Sequence, residues 1–247
     1  MNKIQKLILS SWFHLRVGVG VVGILFPVLL AAGGGFFSVP LAGSMSAYYH
    51  ATPACPGTST ENAPAEAFTP CLPPGQGPMR NWFVGILFFI GAAMYFIKGF
   101  SRIEDAVLTA AGILAPCVAL FPMPWVNGEG GSSMHYISAI LFFLCIGYTC
   151  IFCSSKSLQF MPFIPHRERI IATYKLIYRV QATLMILLPL LAWILTRHSA
   201  HATFWLEAVG IAAFGSYWLV KTSELKKSGL ERRILVENLD MEKTPKL

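Results

Sequence analysis

Charge is what this sequence has least of: 13% of its 247 residues are Asp, Glu, Lys or Arg, about half the share usual in a soluble domain. Acids are the scarcer sign, 12 against 19 Lys and Arg. Cysteine is sparse as well, six in the whole chain, so a disulfide scaffold is excluded and only cysteine placement is informative. A soluble globular domain is excluded with it. What abounds is apolar: 55% of residues are hydrophobic and mean hydropathy is +0.58. They come in blocks of about 17–23, the length that crosses ~30 Å of hydrocarbon at 1.5 Å per residue. The expected fold is all-α, a polytopic bundle of six transmembrane helices.

Span one is expected over Val17–Phe37, after a basic start carrying Lys3, Lys6 and Arg16. The charged start and the Ala31-Ala32 pair resemble a signal peptide, but the apolar run exceeds an h-region, so a retained anchor is read here. Pro27 is expected to kink it, lacking an N–H and clashing with the preceding turn. Gly33-Gly34-Gly35 leaves its end open to close packing. The next spans are expected at Asn81–Ile97, Glu104–Pro122, His135–Cys153, Tyr174–Thr196 and Thr203–Val220. Ser101 and Glu104 form a capping-box pattern at the third, and Pro189 is placed to bend the fifth. The chain thus divides into a six-span domain, 1–221, and a basic tail, 222–247. Within the tail, Leu230, Ile234 and Leu235 at helical spacing suggest an amphipathic helix on the membrane surface.

Orientation follows from where Lys and Arg fall. With both termini cytoplasmic, 17 of the 19 basic residues face the cytoplasm and Arg80 and Arg197 alone lie outside. The net charge of +7 is therefore a topology signal and an attraction to anionic lipid; membrane lipids are the expected partners and nucleic acid is not. The expected location is a plasma or inner membrane, with loop 38–79 extracytoplasmic. Cys55 and Cys71 lie in that loop without another cysteine, and a disulfide between them would close a long loop in an oxidising compartment. Cys117, Cys145, Cys150 and Cys153 fall inside spans and read as small hydrophobes. Gly85, Gly91, Ala92, Gly112, Gly147, Gly210 and Gly215 suit close helix packing, within the chain or in a homo- or hetero-oligomer.

Ionisable residues at span ends are the informative ones. His50, His135, His198 and His201 gather at the outer face with Ser46, Ser138, Arg80 and Glu207. One reading makes His50, His135 and His201 ligands of a zinc ion, which takes about three imidazole or carboxylate ligands and an open position for water; Ser46, His50 and Glu207 are then the catalytic candidates. Ser46 and His50 share a helical face at i, i+4. The other reading makes the histidines interfacial polar residues and pairs Glu207 with Arg80 or Arg197. Tyr48, Tyr49, Trp82, Trp125, Tyr136 and Trp205 fit an interfacial aromatic belt.

The run His135-Tyr136-Ile137-Ser138-Ala139-Ile140-Leu141-Phe142-Phe143, followed by Tyr148, resembles the His-x-x-x-Ala-x-x-x-Phe…Tyr helix of the DRAM/FRAG-type six-span membrane proteins. Ala119-Leu120-Phe121-Pro122 and Glu207 at the start of the last span are similar too. That resemblance implies lipid handling or membrane homeostasis. A second one lies in Ser46-Ala47-Tyr48-Tyr49-His50, which is similar to the Ser-x-x-x-His element of the CREST membrane hydrolases. It implies zinc-dependent cleavage of lipid amides, carried by Ser46 and His50 and extended to His201; the aspartate and the paired histidines of that family have no counterpart. The expectation is a lipid-associated membrane protein with a polar pocket under the outer loop. The alternative is a zinc-dependent lipid hydrolase, and the third reading is a small-solute or ion transporter.

Overall fold

In hydrocarbon no water satisfies backbone N–H and C=O groups, so an apolar block that enters it must become a helix. The computed structural model describes residues 2–53, 72–73, 75–124, 133–195 and 201–237. Helix α1 is Lys3–Phe36, α2 Pro78–Phe96, α3 Arg102–Leu120, α4 Ser133–Tyr148, α5 Arg167–Leu195, α6 Ala202–Ser228 and α7 Leu230–Glu237. A 3-10 turn, Ser46–Tyr49, follows α1, and α4 continues through a π-helical stretch, Thr149–Cys153, to Phe160. No strand occurs among the described residues. Six of these helices, α1 to α6 with α4 counted to Phe160, are long and apolar enough to cross a membrane.

The two chain ends differ from expectation. Helix α1 begins at Lys3, because Asn2 and Gln5 form a capping box: each side-chain oxygen accepts the other's backbone N–H, at 2.8 and 2.9 Å. The basic start is thus the first part of span one, and Pro27 lies within the continuous helix. Helix α6 passes the expected end at Val220 and runs to Ser228, where Gly229 at φ 63° supplies the left-handed stop. The amphipathic tail helix exists as α7, but its apolar side packs on the protein: Leu230 and Ile234 join Phe160 and Leu225. The capping box at α3 forms by half. Ser101 Oγ accepts the Glu104 N–H at 3.3 Å, whereas the Glu104 carboxylate reaches the N–H of Phe100 at 3.0 Å.

The six helices close into a ring in sequence order. Each packs on the helix before and after it, and α1 packs on α6. Side chains fill the middle: Phe142 of α4 meets Phe214 of α6 with ring centroids 5.5 Å apart, and Phe26 of α1 meets Phe83 of α2 at 5.9 Å. The outside is apolar in turn, with Ile113, Ile140, Phe152 and Leu176 all more than half exposed, as lipid-facing residues are. The connections give the bundle two ends. The turn end holds Ser46–Tyr49 and the starts of α2, α4 and α6; the tail end holds Arg16, the α2–α3 connection, the end of the α4 extension and α7.

Helices in lipid gain nothing from hiding apolar surface, so close backbone approach holds them. At the α1–α6 crossing a Cβ on Gly215 would stand 2.5 Å from Gly20 O and 2.7 Å from Ile24 N. At the α2–α3 crossing a Cβ on Gly112 would stand 2.7 Å from Tyr95 N, and Gly91 abuts Pro116. Gly147 is tight against Ile186, Gly210 merely touches Pro189, and Gly85 has open space around it. Gly85 and Ala92 are exposed, so they face outward and do not join the packing expected of them. Replacing Gly215 or Gly112 by Val should therefore cost about 1–3 kcal/mol of stability through overpacking against backbone. Gly85→Ala should instead be neutral or gain up to about 1 kcal/mol of helix propensity. Thermal unfolding of the detergent-solubilised variants measures the contrast; a Gly215→Val protein as stable as the parent would refute the crossing.

Candidate functional site

At the turn end the chain leaves α1 after Phe36, the Val39 N–H donating back to Gly34 O at 2.8 Å, with Ser38 at φ 56°. It then folds back as the 3-10 turn. Tyr48 is fully buried against the bare Cα of Gly34 and the ring of Phe204. Burial pushes its phenol above the ordinary value, so it packs as a neutral ring. The turn is fixed from α6 by Glu207, whose Oε2 accepts the Met45 N–H at 2.6 Å and whose carboxylate also takes that of Ser46. A carboxylate there satisfies free N–H groups and faces the positive end of a helical turn. Phe204 N–H donates to Gly43 O at 2.9 Å beside it.

Ser46, half-buried, meets His135 at the start of α4: Oγ and Nε2 are 3.0 Å apart. The other ring nitrogen, Nδ1, lies 2.9 Å from Val118 O and 3.0 Å from Phe121 O at the end of α3. Carbonyl oxygens can only accept, so Nδ1 carries the proton, and in the neutral ring Nε2 accepts from the Ser46 hydroxyl. This is the order in which a hydroxyl is activated: nucleophile, base, and a group that orients the base. His135 is 2% exposed, so its ring is held. His50 goes elsewhere; its Nε2 lies 2.9 Å from Met123 O. Ser46 and His50 sit at the start and cap of the 3-10 turn and find different partners, although their i, i+4 spacing suggests a shared face.

The remaining predicted residues do not join this pair as ligands. His201 immediately precedes α6, with its Nδ1 buried and no hydrogen-bond partner. Arg80 donates to Gly75 O at 3.2 Å and lies over the Tyr49 ring at 5.0 Å, so it does not neutralise Glu207. Zinc needs bare nitrogens converging with an open position. Here His135 Nδ1 is committed to two carbonyls and His50 Nε2 to a third, and no three His, Cys, Asp or Glu side chains among the described residues could hold a metal ion. The described residues do not fit the zinc ion that the hydrolase resemblance implies. Cys55 and Cys71, with their expected disulfide, lie outside the described residues, as do Arg197, His198 and Trp125. The intramembrane cysteines, Cys117, Cys145, Cys150 and Cys153, are free thiols.

A second polar cluster, at the tail end, is absent from the sequence reading. Lys221 and Glu224 of α6, on either side of the expected boundary between the six-span domain and the basic tail, are 2% and 0% exposed. They pair at 2.7 Å, one helical turn apart. Glu224 also accepts from Tyr178 of α5 at 2.8 Å and from Ser157 at 2.9 Å, while Lys221 donates to Ser157. Ser154 and Tyr217 bond at 2.9 Å nearby. Arg16, 4% exposed, pairs with Glu231 of α7 at 2.6 Å. The signal in the sequence was Lys221-x-x-Glu224 directly after an apolar run, with Ser154 and Ser157 ending another.

No protein-family model, curated protein or solved structure matches this chain. The site therefore stands on its own geometry. Removing one member of a buried ion pair leaves an uncompensated charge, costing about 3–5 kcal/mol, whereas replacing both is far milder. Lys221→Met and Glu224→Gln should each destabilise by that order, and the double variant should recover much of the loss. A thermal double-mutant cycle reads this coupling; strictly additive losses would show that the pair is not coupled.

Proposed function

We propose that this protein is an integral membrane protein that handles lipid at the membrane face bearing the Ser46 turn. The distribution of Lys and Arg supports an extracytoplasmic position for that face and a cytoplasmic one for both termini. The observation that carries the reading is the Ser46–His135 contact at 3.0 Å, placed at the ends of spans where headgroups meet protein. Exposed Trp82, Tyr136 and Trp205 around it suit the headgroup layer. Membrane homeostasis through lipid binding is the broad form of this reading.

The same contact favours a narrower reading, hydrolysis of a lipid ester or amide by Ser46. Its hydroxyl would add to the carbonyl carbon while His135 Nε2 takes the proton. Collapse would break the bond to the alcohol or amine, which leaves with that proton, and water would then release the acyl group from Ser46 by the reverse transfers. Glu207 serves in this scheme as a positioning residue, holding the backbone of Met45 and Ser46. No metal enters it.

Lipid mass spectrometry of membranes containing wild type, Ser46→Ala or His135→Gln tests both forms. Hydrolysis predicts accumulation of one lipid class in Ser46→Ala, with turnover of that lipid by the purified His135→Gln protein lowered about 10²–10⁴-fold. Lipid handling without catalysis predicts a composition that changes on deletion of the protein yet not in Ser46→Ala. A composition indifferent to deletion would sink both. Separately, a reporter joined after Leu247 should read as cytoplasmic, and an extracytoplasmic signal would reverse the assigned orientation.

A further inference from the structure

A cation on the lipid-facing side of a span is costly unless an anion meets it, because hydrocarbon solvates no charge. Helix α5 carries such a residue. Its charge-free part, Val180–Leu195, covers about 24 Å at 1.5 Å per residue, short of the ~30 Å hydrocarbon. Tilting only shortens that reach. Arg179, directly before this part, therefore stands at the hydrocarbon edge or inside it. Lys175 lies one turn nearer the tail end, and both residues are exposed. Leu176 and Val180, each following one of these cations, are 62% and 49% exposed, which marks a face turned to lipid.

Nothing among the described residues neutralises the two cations. The acids of this end are committed elsewhere: Asp105 to Lys98, Glu168 to Arg167, Glu224 to Lys221, Glu231 to Arg16 and Glu237 to Arg233. Glu104 accepts from the Phe100 N–H and feels the charge of Lys221. Lys175 and Arg179 also repel one another, since residues four apart on a helix are neighbours. An anion held between them removes both costs, and their long side chains reach it by running along the helix toward the interface. Two turns beyond Arg179 on the same face, Ile186 meets Gly147 of α4. The pair therefore lies on the α4 side of α5.

We propose that Lys175 and Arg179 bind the phosphate of a phospholipid of net negative charge, its acyl chains lying on Leu176 and Val180. Arginine supplies a planar fork that takes two phosphate oxygens, and lysine adds a point charge. A zwitterionic headgroup brings an ammonium to the same place, where the two cations repel it. Phosphatidylglycerol is thus preferred over phosphatidylcholine and phosphatidylethanolamine. The site rests only on the chain crossing a membrane; it is independent of the Ser46 reading, and either can fail alone.

Native mass spectrometry of the detergent-purified full chain, with these three lipids added in equal amounts, tests the site. Phosphatidylglycerol should be retained preferentially. Lys175→Gln and Arg179→Gln should each lower its retention roughly ten-fold, the size of one charge-assisted hydrogen bond. Arg179→Lys keeps the charge, loses the fork and should fall in between. Arg232→Gln removes the same charge from an exposed position on α7 and should leave retention unchanged. In thermal unfolding, added phosphatidylglycerol should raise the midpoint of the wild type and of Arg232→Gln, but not that of the Lys175→Gln/Arg179→Gln double variant. Equal retention of the three lipids, or a loss in Arg232→Gln as large as in Arg179→Gln, would mean that only diffuse positive charge acts and would overturn the proposal. Retention unchanged in both Lys175→Gln and Arg179→Gln would do the same, as would stabilisation by inorganic phosphate equal to that by the lipid. Lipid-free variants should unfold at the parent's temperature, because both positions are exposed, so lost retention reports lost binding.

Discussion

The approach of α1 to α6 at Gly20, Gly23 and Gly215 is the constraint on which the rest of this structure depends. A side chain on Gly20 would meet Leu219 and the carbonyl of Gly215, and one on Gly215 would meet the α1 backbone. In lipid such contact is what association consists of, because the surrounding hydrocarbon offers an apolar surface equally good solvation. This crossing turns a row of five neighbouring contacts into a ring. It brings Arg16 within reach of Glu231 at one end. At the other it carries Glu207 to the backbone of the Ser46 turn, and both polar clusters are thereby consequences of backbone packing between the first and last spans.

The two ends solve the burial of polarity differently. At the turn end the polar groups are mostly neutral and are satisfied by backbone: His135 by two carbonyls, His50 by one, Glu207 by amide N–H groups. Backbone partners do not move away, so the imidazole of His135 is fixed in direction as well as position. At the tail end charge meets charge, through Lys221, Glu224, Arg16 and Glu231. Such pairs roughly balance their own desolvation and contribute register more than net stability. A neighbouring helix sliding by one residue along α6 would strand Glu224 without the hydroxyls of Tyr178 or Ser157.

Much of the fold was legible because span length and hydropathy are local properties. The six blocks became six helices, and Gly91, Gly112, Gly147 and Gly215 pack closely as small residues should. Gly85 and Ala92 look the same in sequence and face outward, since composition does not say which side of a helix meets a neighbour. The site was partly legible. Ser46 and His135 were both picked as polar residues at span ends, yet their pairing joins positions far apart in the chain and depends on α3 presenting two carbonyls. Glu224 was read as tail, and Lys221 as the last residue before it, because hydropathy scores a buried ion pair and a solvated one alike. What distinguishes them is Tyr178 and Ser157, each contributed by another part of the fold.

The ring also has a consequence for how the protein is made. Its neighbours follow the order of the chain, so each span finds one partner soon after it enters the bilayer. The first span is the exception: its second partner is the last to be synthesised. Until α6 arrives, the flank of α1 bearing Gly20 and Gly23 is open, and until α7 follows, Arg16 lacks Glu231. An unfinished chain therefore displays a glycine-lined groove and a bare cation in the membrane, a mark by which quality control could tell an incomplete molecule from a closed one.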